Sequence, residues 1–307
     1  MQLIDVLMPY YGSEELLREA VLSVLAQTDP DWRLVIIDDA YPHAKPEGWL
    51  RALDDDRIEY NRNAENLGAN ANFRLALTLA SSPYFVMMGA DDRMLPGYLE
   101  LVRNALDISP GAAAVQPGVE VIDETGRVSR PLADRVKDVA RPKVSVPQLM
   151  WGEELATSLM HGGWHYFPSL AWRTEIVHQI GFRREYHVVQ DLALLIDLVV
   201  AGHAILLDPT VVFQYRRHSA SDSSVRATDG GRFDEEGRFF AAQAQRFHEG
   251  GWQRAERAAR LHWTSRLHAL SLVPAQLTRP GRRASALRLC RYALQTFAGT
   301  RRAKNGP

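Results

Sequence analysis

Tyr84-Phe-Val-Met-Met-Gly-Ala-Asp-Asp92 is the stretch whose reading decides the fold. An apolar run of strand length, too short for an ordinary helix, ends in a small Gly-Ala turn and two adjacent carboxylates. A parallel sheet delivers acids to a cleft in this way, because its strands are buried on both faces and its ligands bind beyond their carboxyl ends. Two acids there can hold a divalent cation, bind a sugar hydroxyl or cap the next helix. The surrounding sequence has to choose among them.

The same design recurs on the N-terminal side. Residues 4–8 read as a first buried strand, with Pro9-Tyr-Tyr-Gly12 turning it into a loop. Ser13 follows as an N-cap with Glu14 and Glu15 in the positive first turn, and Leu16, Leu17, Ala20, Val21, Val24 and Leu25 give the helix one apolar face. Residues 33–37 form a second strand that also ends in paired acids, Asp38 and Asp39. A helix near 46–53, a strand over 57–60, a polar loop from Asn61 to Gly68 and a helix over 69–79 carry the alternation back to Tyr84. Pro96 and Gly97 introduce another helix.

Strand alternating with helix predicts right-handed crossovers and an α/β fold with a mainly parallel sheet flanked by helices. The loops after Met8, Ile37 and Met88 should then meet at one cleft. Neither a Gly-x-Gly-x-x-Gly fingerprint nor a Walker Gly-Lys-Ser/Thr is present, so the dinucleotide and P-loop readings lack a phosphate cradle.

Beyond residue 112 the pattern loosens. A strand over 114–122 leads into a charged segment through about 144, read as a connecting loop, and a helix over 147–160 follows. His161-Gly-Gly-Trp-His-Tyr-Phe-Pro168 sets glycines beside aromatics, which suits either a binding loop or the domain's rim. Gln190-Asp191 precedes the apolar run 192–200, so Asp191 sits at a helix start as a cap or as a functional acid. Strands over 204–207 and 211–215 come next, the second leaving through Arg216-Arg-His218. Helices over 239–247, 255–270 and 282–297 complete the chain.

With 307 residues, 46% of them hydrophobic, the chain can bury a large core. Its net charge of -1 argues against nucleic acid as a partner, but the charge is unevenly placed: Glu256 is the last acid, and eleven basic residues follow it. On the last helix Ala286, Leu287, Leu289, Cys290, Ala293, Leu294 and Phe297 cover about half the circumference, with basic groups around them. Docking on the protein is the preferred reading of that helix, with an anionic membrane as the alternative. Cys290 is the single cysteine, which excludes an internal disulfide, and no apolar segment is long enough to cross a bilayer. These features lead to the expectation of a cytoplasmic protein, with peripheral contact at the inner face of the membrane left open.

The motifs, in order and spacing, resemble the inverting glycosyltransferases of family 2, whose fold is the GT-A type of nucleotide-diphosphosugar transferases. The resemblance covers about 3–224. It rests on Val6-Leu-Met-Pro-Tyr-Tyr, Ser23-Val-Leu-Ala-Gln-Thr, Leu34-Val-Ile-Ile-Asp-Asp39, Asn66-Leu-Gly-Ala-Asn-Ala-Asn-Phe, Gly89-Ala-Asp-Asp-Arg-Met-Leu-Pro-Gly97, Gln190-Asp191 and Tyr215-Arg-Arg-His-Ser-Ala-Ser221.

That resemblance implies a GT-A domain over 1–225, divided into a nucleotide-sugar half (1–122) and an acceptor half (123–225), with a helical extension over 226–307. It implies a donor site containing Pro9, Tyr10, Tyr11, Asp39, Asn66, Gly68, Asn72 and Asp91, with Asp38 supporting the pocket. Asp92 and His218 would bind Mn²⁺ or Mg²⁺, and Asp191 would be the catalytic base. Trp164, His165, Tyr166 and Gln190 are candidates for the acceptor wall. The implied reaction moves a sugar from a UDP-, dTDP- or GDP-sugar to the hydroxyl of a glycan, lipid-linked or small-molecule acceptor. The Gln-x-x-Arg-Trp pattern of processive synthases is absent, so a single addition is expected. Two alternatives remain: a nucleotidyltransferase, for which the Gly-rich basic loop is lacking, and a non-catalytic sugar-nucleotide or glycan-binding module. The C-terminal helices are open to membrane contact, a homodimer or acceptor selection.

Overall fold

Residues 2–217, 231–278 and 283–294 are described by the computed structural model. The first half alternates as its periodicity predicts: β1 (Ile4–Tyr10), α1 (Glu14–Leu25), β2 (Trp32–Asp38), α2 (Glu47–Ala52), β3 (Ile58–Arg62), α3 (Ala69–Leu79), β4 (Tyr84–Met87), β5 (Arg93–Met94) and α4 (Tyr98–Ile108). The second half contains β6 (Ala112–Ile122), α5 (Leu132–Ala140), β7 (Gln148–Met150), α6 (Gly152–Gly162), β8 (Ala171–Arg173), α7 (Thr174–Ile180), α8 (Gln190–Val200) and β9 (Ala204–Arg216). The helices α9 (Gly231–Glu249), α10 (Gln253–Leu261), α11 (Trp263–Leu277) and α12 (Arg283–Leu294) follow.

The strands run in the order β3-β2-β1-β4-β8-β6-β9-β5, with β7 also paired to β9. β3, β2, β1 and β4 are parallel throughout, and the other half is mixed: β6 runs parallel to β9, while β8, β5 and β7 pair antiparallel. The unbroken apolar runs of the first strands have a simple cause. Ile4, Val6, Met8, Leu34, Ile36, Tyr84 and Val86 enter one core with α1 and α4, while Leu7, Val35, Ile37, Phe85 and Met87 enter another with α6 and α8. The one acid within β1, Asp5, is fully buried and accepts from Arg33, the Ser81 and Ser82 amides and the Ser82 hydroxyl.

β1 continues through Pro9 and Tyr10, although proline was expected to end it. Leu7 C=O accepts from Met88 N on the β4 side, so the N–H that Pro9 lacks would point to the same side, just past the last residue of β4. The strand therefore loses no ladder bond.

Several expectations for the second half are corrected. The charged segment after β6 holds a helix, α5, and the stretch expected as one helix over 147–160 begins with β7. The two strands expected over 204–215 are one, β9, whose register against β6 jumps from Gln116↔Leu207 to Gly118↔Val211. Asp208-Pro209-Thr210, an expected chain break, is instead a bulge. The helix expected over 255–270 breaks at His262, which has a φ of 25°, is buried and stacks on Phe240 at 4.6 Å.

Phe239, Phe240, Phe247, Ala255, Ala258 and Ala259 of α9 and α10 join the core containing α6 and α8. On α12 Ala286, Leu289 and Ala293 are buried as expected, together with Tyr292, but Leu287 and Leu294 are 70% and 74% exposed. Phe297 lies outside the described residues. No described helix is long and apolar enough to cross a membrane.

Candidate active site

β4 ends where β1 and β2 continue, and its chain folds back at once. Asp92 N donates to Gly89 C=O at 3.2 Å, closing a turn over which both carboxylates curl. A Cβ at Gly89 would lie 2.6 Å from Asp92 Oδ2 and 2.9 Å from Asp91 Oδ1, so any side chain there would displace the two carboxylates. Asp92 is 1% exposed. Its Oδ1 accepts from Arg216 N at 2.8 Å, while its Oδ2 is buried without a hydrogen-bond partner. Burial first and the neighbouring Asp91 second push the Asp92 carboxyl well above the usual range.

Arg216, at the end of β9, fixes this turn from across the sheet. Its Nε donates to Asp91 C=O at 2.7 Å, Nη2 to Glu19 on α1 at 2.6 Å, and Nη1 to the Asp123 and Glu124 carbonyls. β5, paired with β9, brings these partners into register. Arg216 had no role in the sequence reading.

At the ends of β1 and β2, Asp39 N donates to Tyr10 C=O and the Tyr10 hydroxyl to Gly12 C=O. Tyr11 is 53% exposed, its ring edge-on to Tyr41 at 4.9 Å. Asp38 is buried and accepts from Tyr60, Arg62 and the Tyr41 amide, a bracing position. Asp39 is 2% exposed, and its two oxygens accept from Asn63 Nδ2, Leu67 N and Gly68 N. It thereby shapes the 63–68 loop, at whose end Gly68 takes a φ of 82°. Asn66 Oδ1 also accepts from Gly68 N. Buried Asn72 donates to Ile37 C=O at 2.9 Å and accepts from Asn63, tying α3 to the end of β2.

The residues expected on the acceptor side gather around α5, α6 and α8. Asp191 is in the first turn of α8, its side chain 32% exposed. Oδ1 accepts from Leu192 N at 2.7 Å, and Oδ2 lies 3.1 Å from Nε2 of His165, a residue that is 5% exposed. Burial raises the Asp191 carboxyl, but His165, the Leu192 amide and Lys137 outweigh it and hold the group below the usual carboxylate range. Lys137 Nζ donates to His165 C=O at 3.0 Å and sits 4.4 Å over the Tyr166 ring. Burial, helped by Arg217, lowers the Lys137 ammonium to about 8.

Tyr166 donates to Asp134 at 2.9 Å, Asp134 also pairs with Arg217 at 2.8 Å, and the Tyr166 ring lies 5.2 Å from that of Tyr215. Tyr215 is raised by burial first, with Arg217 opposing and Asp92 and Asp91 close enough to add. The aromatic pair thus joins the acid turn to the Asp191 cluster. Gln190 is 6% exposed at the start of α8, its Oε1 buried without a partner. Trp164, expected on an exposed wall, is instead 1% exposed in the core, with Nε1 donating to Ser158. Gly163 ends α6 in a left-handed turn, which carries the indole inward before His165 and Tyr166 reach the cluster. His218 lies outside the described residues.

Sequence reasoning missed Asp134 and Lys137 because it took their segment as a loop. The signal was there: Pro131 precedes Leu132, and Leu132, Val136 and Val139 have helical spacing.

The family model for glycosyl transferase family 2 matches residues 5–181. An uncharacterized glycosyltransferase of Rickettsia felis is 25% identical over 224 residues, which are 72% of this chain and 35% of that protein. Another, of Methanocaldococcus jannaschii, is 30% identical over 129 residues, 41% of this chain and 44% of that protein. The chain thus spans less than half the length of either relative. Among solved structures, S. aureus TarS 1-349 superposes with a TM-score of 0.64 at 13% identity, covering 95% of this chain and 81% of that one. TarS is also known in complex with UDP-GlcNAc and with UDP.

Proposed function

The chain belongs to glycosyl transferase family 2, and on that premise we propose that it moves one sugar from a nucleoside-diphosphate sugar to an acceptor hydroxyl, with inversion and with a divalent cation. The observation that carries the reading is Asp92: one oxygen held by a backbone amide, the other buried and without a partner beside a second acid. A buried carboxylate oxygen left in this state is costly unless a cation meets it. Among the described residues no group of three or more His, Cys, Asp or Glu stands ready as a metal cage. That donor set fits Mg²⁺ or Mn²⁺, which often bind one or two carboxylates and complete their shell with substrate phosphate and water. Asp92 would hold the cation, with His218 joining it. When bound, such an ion supplies Lewis-acid stabilisation of the departing diphosphate.

Residues 1–122 hold the donor in this reading. Tyr11, propped by Tyr41, offers a ring to the nucleotide base, with Pro9 and Tyr10 forming the rest of that loop. Asp39 shapes the loop bearing Asn66 and Gly68, Asn72 locks that loop to the sheet, and Asp91 addresses the ribose or sugar. Residues 123–225 hold the acceptor against His165, Tyr166 and Gln190, with 226–307 as a helical extension. Asp191 takes the proton as the acceptor oxygen bonds to the anomeric carbon and the carbon–phosphate oxygen bond breaks. One displacement, with no covalent intermediate, inverts the centre. The UDP complexes of TarS favour a UDP-sugar as the first donor to try.

Calorimetry across UDP-, GDP- and dTDP-sugars should find at least one donor whose binding requires Mn²⁺ or Mg²⁺. If none binds with either ion present, the reading fails.

A second expected outcome concerns pH. Because Asp191 is held below the usual carboxylate range, it stays ionised to lower pH than a free carboxylate, and the acid limb of kcat/KM should fall below that range. His165→Gln removes the imidazole that opposes the effect of burial, so the limb should move upward. A limb that stays in place in that variant would exclude His165 as the residue that sets the base.

A further inference from the structure

α11 and α12 turn their buried sides to one small core, where Ala269, Leu289, Tyr292 and Ala293 pack with Phe233 of α9. What they leave outside is not the polar face usual for a surface helix. On α11 Leu267, Leu270 and Leu277 are 55%, 41% and 58% exposed, and their spacing sets them in one row with Pro274. The other exposed residues between Leu267 and Leu277 are Ser271 and Ala275, so no charge interrupts this face. On α12 the exposed Leu287 and Leu294 stand among exposed Arg283, Arg288 and Arg291. The sequence has no acid after Glu256, and the one described acidic partner of Arg288 is Asp234, 3.9 Å away at the surface.

We infer that α11 and α12 form a docking surface for an anionic lipid bilayer. The leucines enter the boundary between headgroups and acyl chains, and the arginines meet lipid phosphates. Two-fold self-association would bring Arg288 and Arg291 against a copy of the same basic surface, whereas an anionic bilayer answers both the charge and the leucines. The uncharged row on α11 distinguishes a membrane from other polyanions. The surface is also tied to the end of α6. Thr264 Oγ1 at the start of α11 donates to His161 C=O at 2.9 Å, close in sequence to His165 and Tyr166.

Sedimentation of the full chain with phosphatidylcholine vesicles, with and without phosphatidylglycerol, tests the inference. Binding to the anionic vesicles should be roughly tenfold tighter or more, and should weaken with salt. Leu267→Glu with Leu270→Glu, and separately Arg288→Glu with Arg291→Glu, should each lose at least roughly tenfold in affinity with an unchanged circular-dichroism melt. No preference for anionic vesicles at low salt overturns the inference, and so does binding retained in both double variants. If the leucine variant dissociates a dimer seen by light scattering while vesicle binding persists, the face is a contact between copies of the chain and the inference is wrong. Donor binding by calorimetry should be the same in both double variants as in the parent, because these residues lie outside the proposed site. A parent that binds vesicles but no donor would count against glycosyl transfer alone.

Discussion

Replacing Asp191 by Asn should slow transfer by roughly 10²- to 10⁴-fold, the range over which a positioned general base contributes, while leaving donor affinity nearly unchanged. Asn preserves shape and can still accept from the Leu192 amide that now bonds Oδ1. It cannot take up the proton released when the acceptor attacks. Asn is a cleaner probe than Ala, which would leave His165 Nε2, buried and now 3.1 Å from Oδ2, without its neighbour. Steady-state kinetics with calorimetry in parallel would separate the two effects. Transfer that persists within tenfold of the parent would remove Asp191 as the base, and donor affinity falling as far as the rate would make it a binding residue.

Asp92→Asn should abolish metal-dependent donor binding and reduce transfer by roughly 10²-fold or more, given the several kcal/mol that a Lewis acid commonly supplies. A thermal readout makes the case independent of activity. Burial, then Asp91, raises the Asp92 carboxyl in the folded protein. A carboxyl whose folded pKa is raised favours the fold while protonated, and that contribution is lost as pH rises through the ordinary carboxylate range toward the folded value. Once ionised, Asp92 is therefore a liability that a cation would relieve. Mn²⁺ should raise the melting temperature of the parent and leave that of Asp92→Asn unmoved, with the variant at least as stable as the parent when chelator is present. An equal rise in both proteins would place the ion elsewhere.

Some of this was legible because local chemistry fixed it. A strand buried on both faces must be largely apolar, so β1, β2 and β4 announced themselves, and the acids that close β2 and follow β4 could belong only to the carboxyl edge of the sheet. Ser13 as the N-cap of α1, accepting from Leu16 N, and Asp191 in the first turn of α8 follow from the same kind of rule, since a helix start leaves amides to be satisfied. These features depend on neighbours a few residues away.

What the sequence by itself determined was the alternation of strand and helix and the residue types offered at the strand ends. The tertiary structure decided which of those residues are free to act and which are consumed in bracing. Asp38 and Asp39 are adjacent and chemically alike, yet Asp38 is taken up by Tyr60 and Arg62 and Asp39 by the 63–68 loop. Trp164 and Tyr166 are two residues apart, yet one is core and the other meets Asp134. Arg216 reaches the acid turn from the far end of the chain's α/β portion. Leu287 and Leu289 are the same residue on one helix, and only the packing of α12 on α11 buries the second and leaves the first outside. In each case the outcome rests on contacts between residues distant in sequence, and no local pattern specifies which atoms will meet there.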